Sequence, residues 1–185
     1  MAISQNAEFL YTDAKSIVMA PFRGCLIGRF QPFHDGHLKL VEHVATDVDE
    51  LVIGIGSADA SHTRRNPFTA GERIMMIRKT LEPYDLTDYV VPIEDLDRNS
   101  VWVSHIQSMA PPFDVAYSNN PLVIRLFTES GIDVRQTKMF DREALKGSEI
   151  RELIVDGKNW ESYVPDSVEM IIDEVDGVNR LQQIA

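Results

Sequence analysis

The chain has 185 residues, a formal net charge of −11 and a single cysteine, which is length enough for one domain burying a sheet between helices. Cys25 alone excludes an intrachain disulfide and a multi-cysteine metal site, and inside an apolar run it is expected to fill core space. The acidic total repels nucleic-acid phosphates, no apolar run nears the roughly 18 residues of a membrane span, and no secretory leader pattern opens the chain, so a cytoplasmic protein is expected.

Residues 1–22 show no clear period, carry Pro21 near their end and read as an extension before a domain of residues 23–185. Short apolar runs at 24–28, 51–56, 89–93 and 114–117 predict strands buried on both faces, with 132–135 a candidate fifth. Between them, 36–45, 69–81, 100–110 and 121–129 carry helical spacing with Asp, Ser, Thr or Asn near their starts. After Lys146 the pattern is purely helical: 148–155, a loop over 156–164, then a last helix with Pro165 in its first turn, reaching about residue 174. Alternating strand and helix predicts an α/β fold, a doubly wound parallel sheet with helices on both faces and a helical C-terminal segment. Ligands bind such sheets beyond the carboxyl ends of the strands at the switch point, which places the chemistry just after Gly28 and Gly56.

The segment Gly28-Arg29-Phe30-Gln31-Pro32-Phe33-His34-Asp35-Gly36-His37 follows the first strand and opens the first helix. Exposed amides and the positive end of a helix attract phosphate, Gly36 allows close backbone approach, and His34 and His37, three residues apart, fall near each other on the first turn. Two surface histidines, or two metal ligands without a third, are the plainer alternatives. The segment resembles the His-x-Gly-His signature of the nucleotidyltransferase superfamily, in the Gly-Arg-Phe-Gln-Pro form of nicotinamide-nucleotide adenylyltransferases. That resemblance implies a Rossmann-like fold of the HUP type and adenylyl transfer.

A second segment, Leu145-Lys146-Gly147-Ser148-Glu149-Ile150-Arg151, stands where that superfamily carries its Ile-Ser-x-Thr-x-Ile-Arg type signature. Ser148 matches the threonine and Arg151 the arginine, while Lys146 replaces a hydroxyl residue and takes no assigned role. A capping hydroxyl, free amides and an arginine one turn on suit the β and γ phosphates of ATP; a plain serine cap beside an exposed arginine is the other reading.

The stretch from Gly54 to Arg73, following the second strand, strongly resembles archaeal-type nicotinamide-nucleotide adenylyltransferases. It contains Ser57, the arginines Arg64 and Arg65, of which the resemblance favours Arg65 for phosphate, and Thr69 as expected cap of the helix carrying Arg73. Asp95, Asn99 and Trp102 follow the third strand in a pattern similar to that family's acceptor site. An indole face and a nearby carboxylate both attract a cationic pyridinium ring, although a tryptophan at helical spacing also serves packing, the role read for Trp160. Ser118-Asn119-Asn120-Pro121 resembles the family's Ser-x-Asn-Pro turn, where Ser118 and Asn120 would meet adenine or ribose; a helix-capping turn is the alternative.

The reaction implied is transfer of AMP from ATP to nicotinamide mononucleotide (NMN), giving NAD and pyrophosphate, with no protein nucleophile. His34, His37 and Arg151 would hold the triphosphate. Gly28, Arg29, Phe30, Gly36, Arg65, Ser118, Asn120 and Ser148 would complete the ATP site, and Ser57, Asp95, Asn99 and Trp102 the NMN site. Mg²⁺ or another divalent cation would ride mainly on substrate phosphates, and the family resemblance implies a homo-oligomer. Three other readings remain: adenylyl or cytidylyl transfer to phosphopantetheine, flavin mononucleotide or a lipid-precursor phosphate; a nucleotide sensor without turnover; and a polynucleotide binder, disfavoured by the acidic total and missing aromatic platforms. Abundant aspartates and few lysines fit either a salty cytoplasm or ordinary acidic solubility bias.

Overall fold

In the computed structural model, which describes residues 20–137 and 146–185, strand β1 (Arg23–Gly28) is the centre of a five-stranded parallel sheet. Strands β2 (Glu50–Ile55), β3 (Thr87–Pro92), β4 (Val115–Tyr117) and β5 (Asp133–Arg135) join it in the order 3-2-1-4-5. The crossovers are helices α1 (Asp35–Ala45), α2 (Ala70–Leu81), α3 (Trp102–Met109), preceded by a 3₁₀ turn at Asn99–Val101, and α4 (Pro121–Glu129). The extension at residues 1–22 lies almost wholly outside the described residues, as does Leu145 of the second motif.

Strand periodicity sorts the core into two layers. Leu26, Leu51, Ile53, Ile55, Val115 and Tyr117 face one side, where α1, α2 and the C-terminal helices cover them. Their neighbours Ile27, Val91 and Ala116 face the other side, against Val103 and Ile106 of α3 and Phe127 of α4. The sheet is therefore doubly wound, as the alternation of elements predicts. Cys25, 1% exposed, fills core space, and burial pushes its thiol up to about 12.

Three expectations need correction. Strand β3 is not buried on both faces: the strand order puts it at an edge, and its residues are half-buried or exposed. The second-motif helix α5 runs Gly147–Val155, starting one residue early. The helix after Pro165, α6 (Asp166–Glu174), is not the last; Asp176 adopts a left-handed φ of 53° and Gly177 opens a further helix, α7 (Gly177–Gln183). A Cβ at residue 177 would stand 2.7 Å from Phe68 Cε1 and 3.0 Å from the Ile172 carbonyl, so only glycine lets α7 start there.

Candidate active site

His34 caps α1 from an extended backbone, and its imidazole stacks on that of His37 with ring centroids 3.6 Å apart. Phe30 and Phe33 bracket the His37 ring at 4.8 and 5.5 Å. The His34 amide donates to His37 Nδ1 at 3.3 Å, a bond that needs Nδ1 unprotonated and so leaves the proton on Nε2. Burial, and then the neighbouring His34, hold the His37 pKa well below its ordinary value. Phe30 has a left-handed φ of 50° and its ring lies over Gly28, where a Cβ would meet it at 2.8 Å. The Phe30 ring is therefore buried between Gly28 and His37.

Gln31 is buried, and its amide grips both main-chain groups of Phe68, accepting from N–H at 2.9 Å and donating to C=O at 2.8 Å. This clasp between the first motif and the loop before α2 was not foreseen. Arg151 on α5 joins the same two segments, donating from Nη1 to the Gln31 carbonyl at 2.7 Å and from Nε to the Arg64 carbonyl at 3.0 Å. It is 8% exposed rather than a surface side chain. Ser148 does not cap α5. Lys146 occupies that position, because Glu149 accepts its N–H at 2.7 Å, and Ser148 lies exposed in the first turn.

On the β2 side, Ser57 has a φ of 50° and binds Asp95 twice, through its amide at 3.2 Å and its hydroxyl at 2.6 Å. Thr69 caps α2 as expected, in a reciprocal pair with Glu72. Arg64 turns its guanidinium to Glu152 at 2.6 Å, an exposed pair, while Arg65 is exposed beside it. Arg73, absent from the predicted site, has no exposed surface and hydrogen-bonds to main-chain carbonyls of Arg29, Gly56, Ser57 and Thr69.

Four guanidinium groups thus share one neighbourhood. Burial lowers the pKa of Arg29, with Arg65 adding to it and Asp95 opposing. Burial and then the charge of Arg29 lower Arg73, to about 10, and Arg151. Arg29 Nη1 is buried without a hydrogen-bond partner among the described residues. Like charges are thus gathered against burial in a chain of net charge −11, a local concentration of positive charge.

The remaining predicted residues stand on other turns and helix starts, and no hydrogen bond or ion pair joins them to these arginines among the described residues. Asn99 is in the 3₁₀ turn, and its carbonyl accepts the Trp102 amide. Trp102 opens α3 half-buried, packed edge-on against Phe127 at 5.6 Å. Ser118 accepts the Asn120 amide at 3.1 Å and Asn120 accepts that of Leu122 at 3.0 Å, so both side chains serve the helix cap. Both also line a cavity of about 260 Å³ with Gly28, Phe30, His37 and Tyr117, between β1 and β4 at the switch point. Gly36 lies in the first turn of α1. A larger groove of about 440 Å³ between α2 and α6 contains none of these residues. Among the described residues no three His, Cys, Asp or Glu side chains gather as metal ligands.

Comparison with known proteins identifies the family and the fold. The cytidylyltransferase-like family model matches residues 25–153. Nicotinamide-nucleotide adenylyltransferases of Halorubrum lacusprofundi and Halobacterium salinarum are 61% and 63% identical over 88% of the chain and over 93% and 92% of their own lengths. That of Methanolobus tindarius is 60% identical over 88% of this chain and 94% of its own. Among solved structures, a bifunctional NMN adenylyltransferase/ADP ribose pyrophosphatase from Francisella tularensis, complexed with AMP and a manganese ion, shares the fold at a TM-score of 0.71 and 21% identity. The match covers 89% of this chain, which spans only about half (52%) of that longer protein. The chain belongs to the cytidylyltransferase-like family and, within it, to the nicotinamide-nucleotide adenylyltransferases, nucleotidyltransferases of NAD biosynthesis.

Proposed function

We propose that the chain transfers the adenylyl group of ATP to NMN, with Mg²⁺ as the divalent cation. The observation that carries this reading is the cluster of Arg29, Arg65, Arg73 and Arg151 beside the paired imidazoles at the strand ends. A phosphate oxygen of NMN attacks the α-phosphorus of ATP; the bond from that phosphorus to the bridging oxygen breaks, and pyrophosphate leaves with the electron pair. The attacking phosphate is ionised at neutral pH, so no general base is needed and catalysis rests on alignment and charge stabilisation.

His37 Nε2–H, His34 and the free donors of Arg151 would hold the triphosphate, with Arg29, Arg65, Ser148 and the main chain at Gly28, Phe30 and Gly36 completing its cradle. Ser118 and Asn120 would border the adenosine through their turn. Asp95, steadied by Ser57, would face the pyridinium charge, with Asn99 and the Trp102 ring beside it. Arginines dominate the phosphate site, so the cation would enter on the nucleotide, where it neutralises phosphate charge. One nucleotidyltransferase domain over residues 23–185, assembled as a homo-oligomer in the cytoplasm, belongs to the same reading.

The test is pyrophosphate release with ATP and Mg²⁺ in the presence of NMN, deamidated NMN, phosphopantetheine or flavin mononucleotide. NAD formed from NMN is the expected product. Release with another acceptor alone would replace the substrate, and no release with any would favour a sensor. His37→Ala and Arg151→Lys are each expected to lower kcat by about 10²-fold or more; lysine keeps the charge but not the fork that also holds Gln31 and Arg64. Unchanged turnover in both variants would sink the site assignment.

A further inference from the structure

Arg73 donates only to main-chain carbonyls. Nη1 reaches those of Arg29 and Gly56, each at 2.8 Å, Nη2 that of Ser57 at 3.0 Å and Nε that of Thr69 at 3.1 Å. Arg29 and Gly56 are the first residues beyond the adjacent parallel strands β1 and β2. One nitrogen thus holds the first carbonyl past each strand. The residue after each, Phe30 and Ser57, has a φ of 50°, two of the four non-glycine residues with positive φ among those described.

Non-glycine residues stay left-handed only where their surroundings over-determine the conformation. A planar guanidinium does so, because its donors point in fixed directions. The amide and carbonyl of a trans peptide point oppositely, so drawing the Gly56 carbonyl inward turns the Ser57 N–H outward, to Asp95 Oδ1 at 3.2 Å, and the Ser57 hydroxyl follows to Oδ2. Drawing in the Arg29 carbonyl fixes the base of the Arg29 side chain in the same way. Asp95 and Arg29 are both proposed substrate contacts, and both hang on one buried cation that the cluster of burial and charge leaves no room to reach solvent.

We propose that Arg73 is a positioning residue: by holding the strand-end carbonyls of Arg29, Gly56 and Ser57 it sets the left-handed turns at Phe30 and Ser57, and through them the places of Arg29 and Asp95 during adenylyl transfer. The kinetic part rests on the adenylyl-transfer reading; the backbone part does not. A residue that served only as a core staple would change stability and leave kcat per folded molecule alone.

The experiment compares Arg73→Lys with Met76→Ala, a buried change on the same helix with no bond to either strand end, both assayed well below their melting temperatures. Arg73→Lys is expected to lower kcat at least about tenfold, more than it raises either KM, while Met76→Ala stays within about twofold of the parent. If the lysine variant is not recovered folded, Arg73→Gln takes its place with the same threshold. A crystal structure of the variant reads the backbone directly: Phe30 and Ser57 are expected to return to negative φ. Positive φ retained at both residues, or a kcat no lower than that of Met76→Ala, overturns the proposal. Should the parent make no NAD, the adenylyl-transfer reading fails by itself and the φ values still decide whether Arg73 sets the turns.

Discussion

His37 shows how a side chain can be tuned by the company of two aromatic rings and a second imidazole. Spacing alone brings His34 and His37 together, since residues three apart share a helix face, and the rings do stack. What the sequence could not supply is the protonation state, which depends on the His34 amide donating to Nδ1 and on burial. The folded chain refuses a proton at residue 37 that the unfolded chain accepts below about 6.5. Stability therefore falls as pH drops from about 6.5 toward the lower folded-state value, by at most about 1.4 kcal/mol per pH unit from this group. His37→Gln is expected to flatten that part of the profile by up to one proton. Urea unfolding of both proteins at several pH values between 5 and 7 checks it, and identical slopes would show that His37 titrates normally. Arg73 and Gln31 were illegible at this scale for another reason: their partners are carbonyls and amides far along the chain, which no local pattern announces.

Elements were easier to read than their edges. Strands with near-continuous apolar runs and helices with capping residues emerged close to where periodicity put them, Thr69 being the cap of α2. The exceptions share a cause, since each depends on tertiary neighbours: β3 is half-exposed because of the strand order, and α7 exists because Asp176 and Gly177 let the chain turn back onto Phe68. That last helix is tied to the site by Arg180, which donates to both oxygens of Glu72 at 2.8 and 2.9 Å and to the Val175 carbonyl at 3.0 Å. Burial by itself pushes the Glu72 carboxyl up, but its bonds from Arg180 and Thr69 outweigh that and hold it below the usual range. The two side chains are 18% and 14% exposed, so Arg180→Ala strands a mostly buried carboxylate and is expected to cost roughly 3 kcal/mol. Denaturant unfolding measures it; a loss below about 1 kcal/mol would place the pair with weak surface bridges.

Over the whole molecule, acidity and the arginine cluster work against each other in space. A net charge of −11 discourages polyanions, while four guanidinium groups lie close together, three of them in the phosphate site proposed above. The sign of the total was legible from composition, and the family resemblance already put Arg29, Arg65 and Arg151 at one phosphate site; the buried Arg73 among them was not legible, because only the fold brings it to the carbonyls past β1 and β2. Their mutual repulsion has a consequence for the design of variants: affinity and resting stability trade against each other at this one place. Arg29→Gln is expected to raise the melting temperature of the nucleotide-free protein by about 2–4 °C, and to lose most of the further rise that ATP gives the parent. Thermal unfolding with and without ATP reads both effects, and a variant that melts lower in the absence of nucleotide would show that no such tension exists. A mutational search for heat resistance alone would then be drawn toward neutralising these arginines, and would select proteins that endure but no longer turn over.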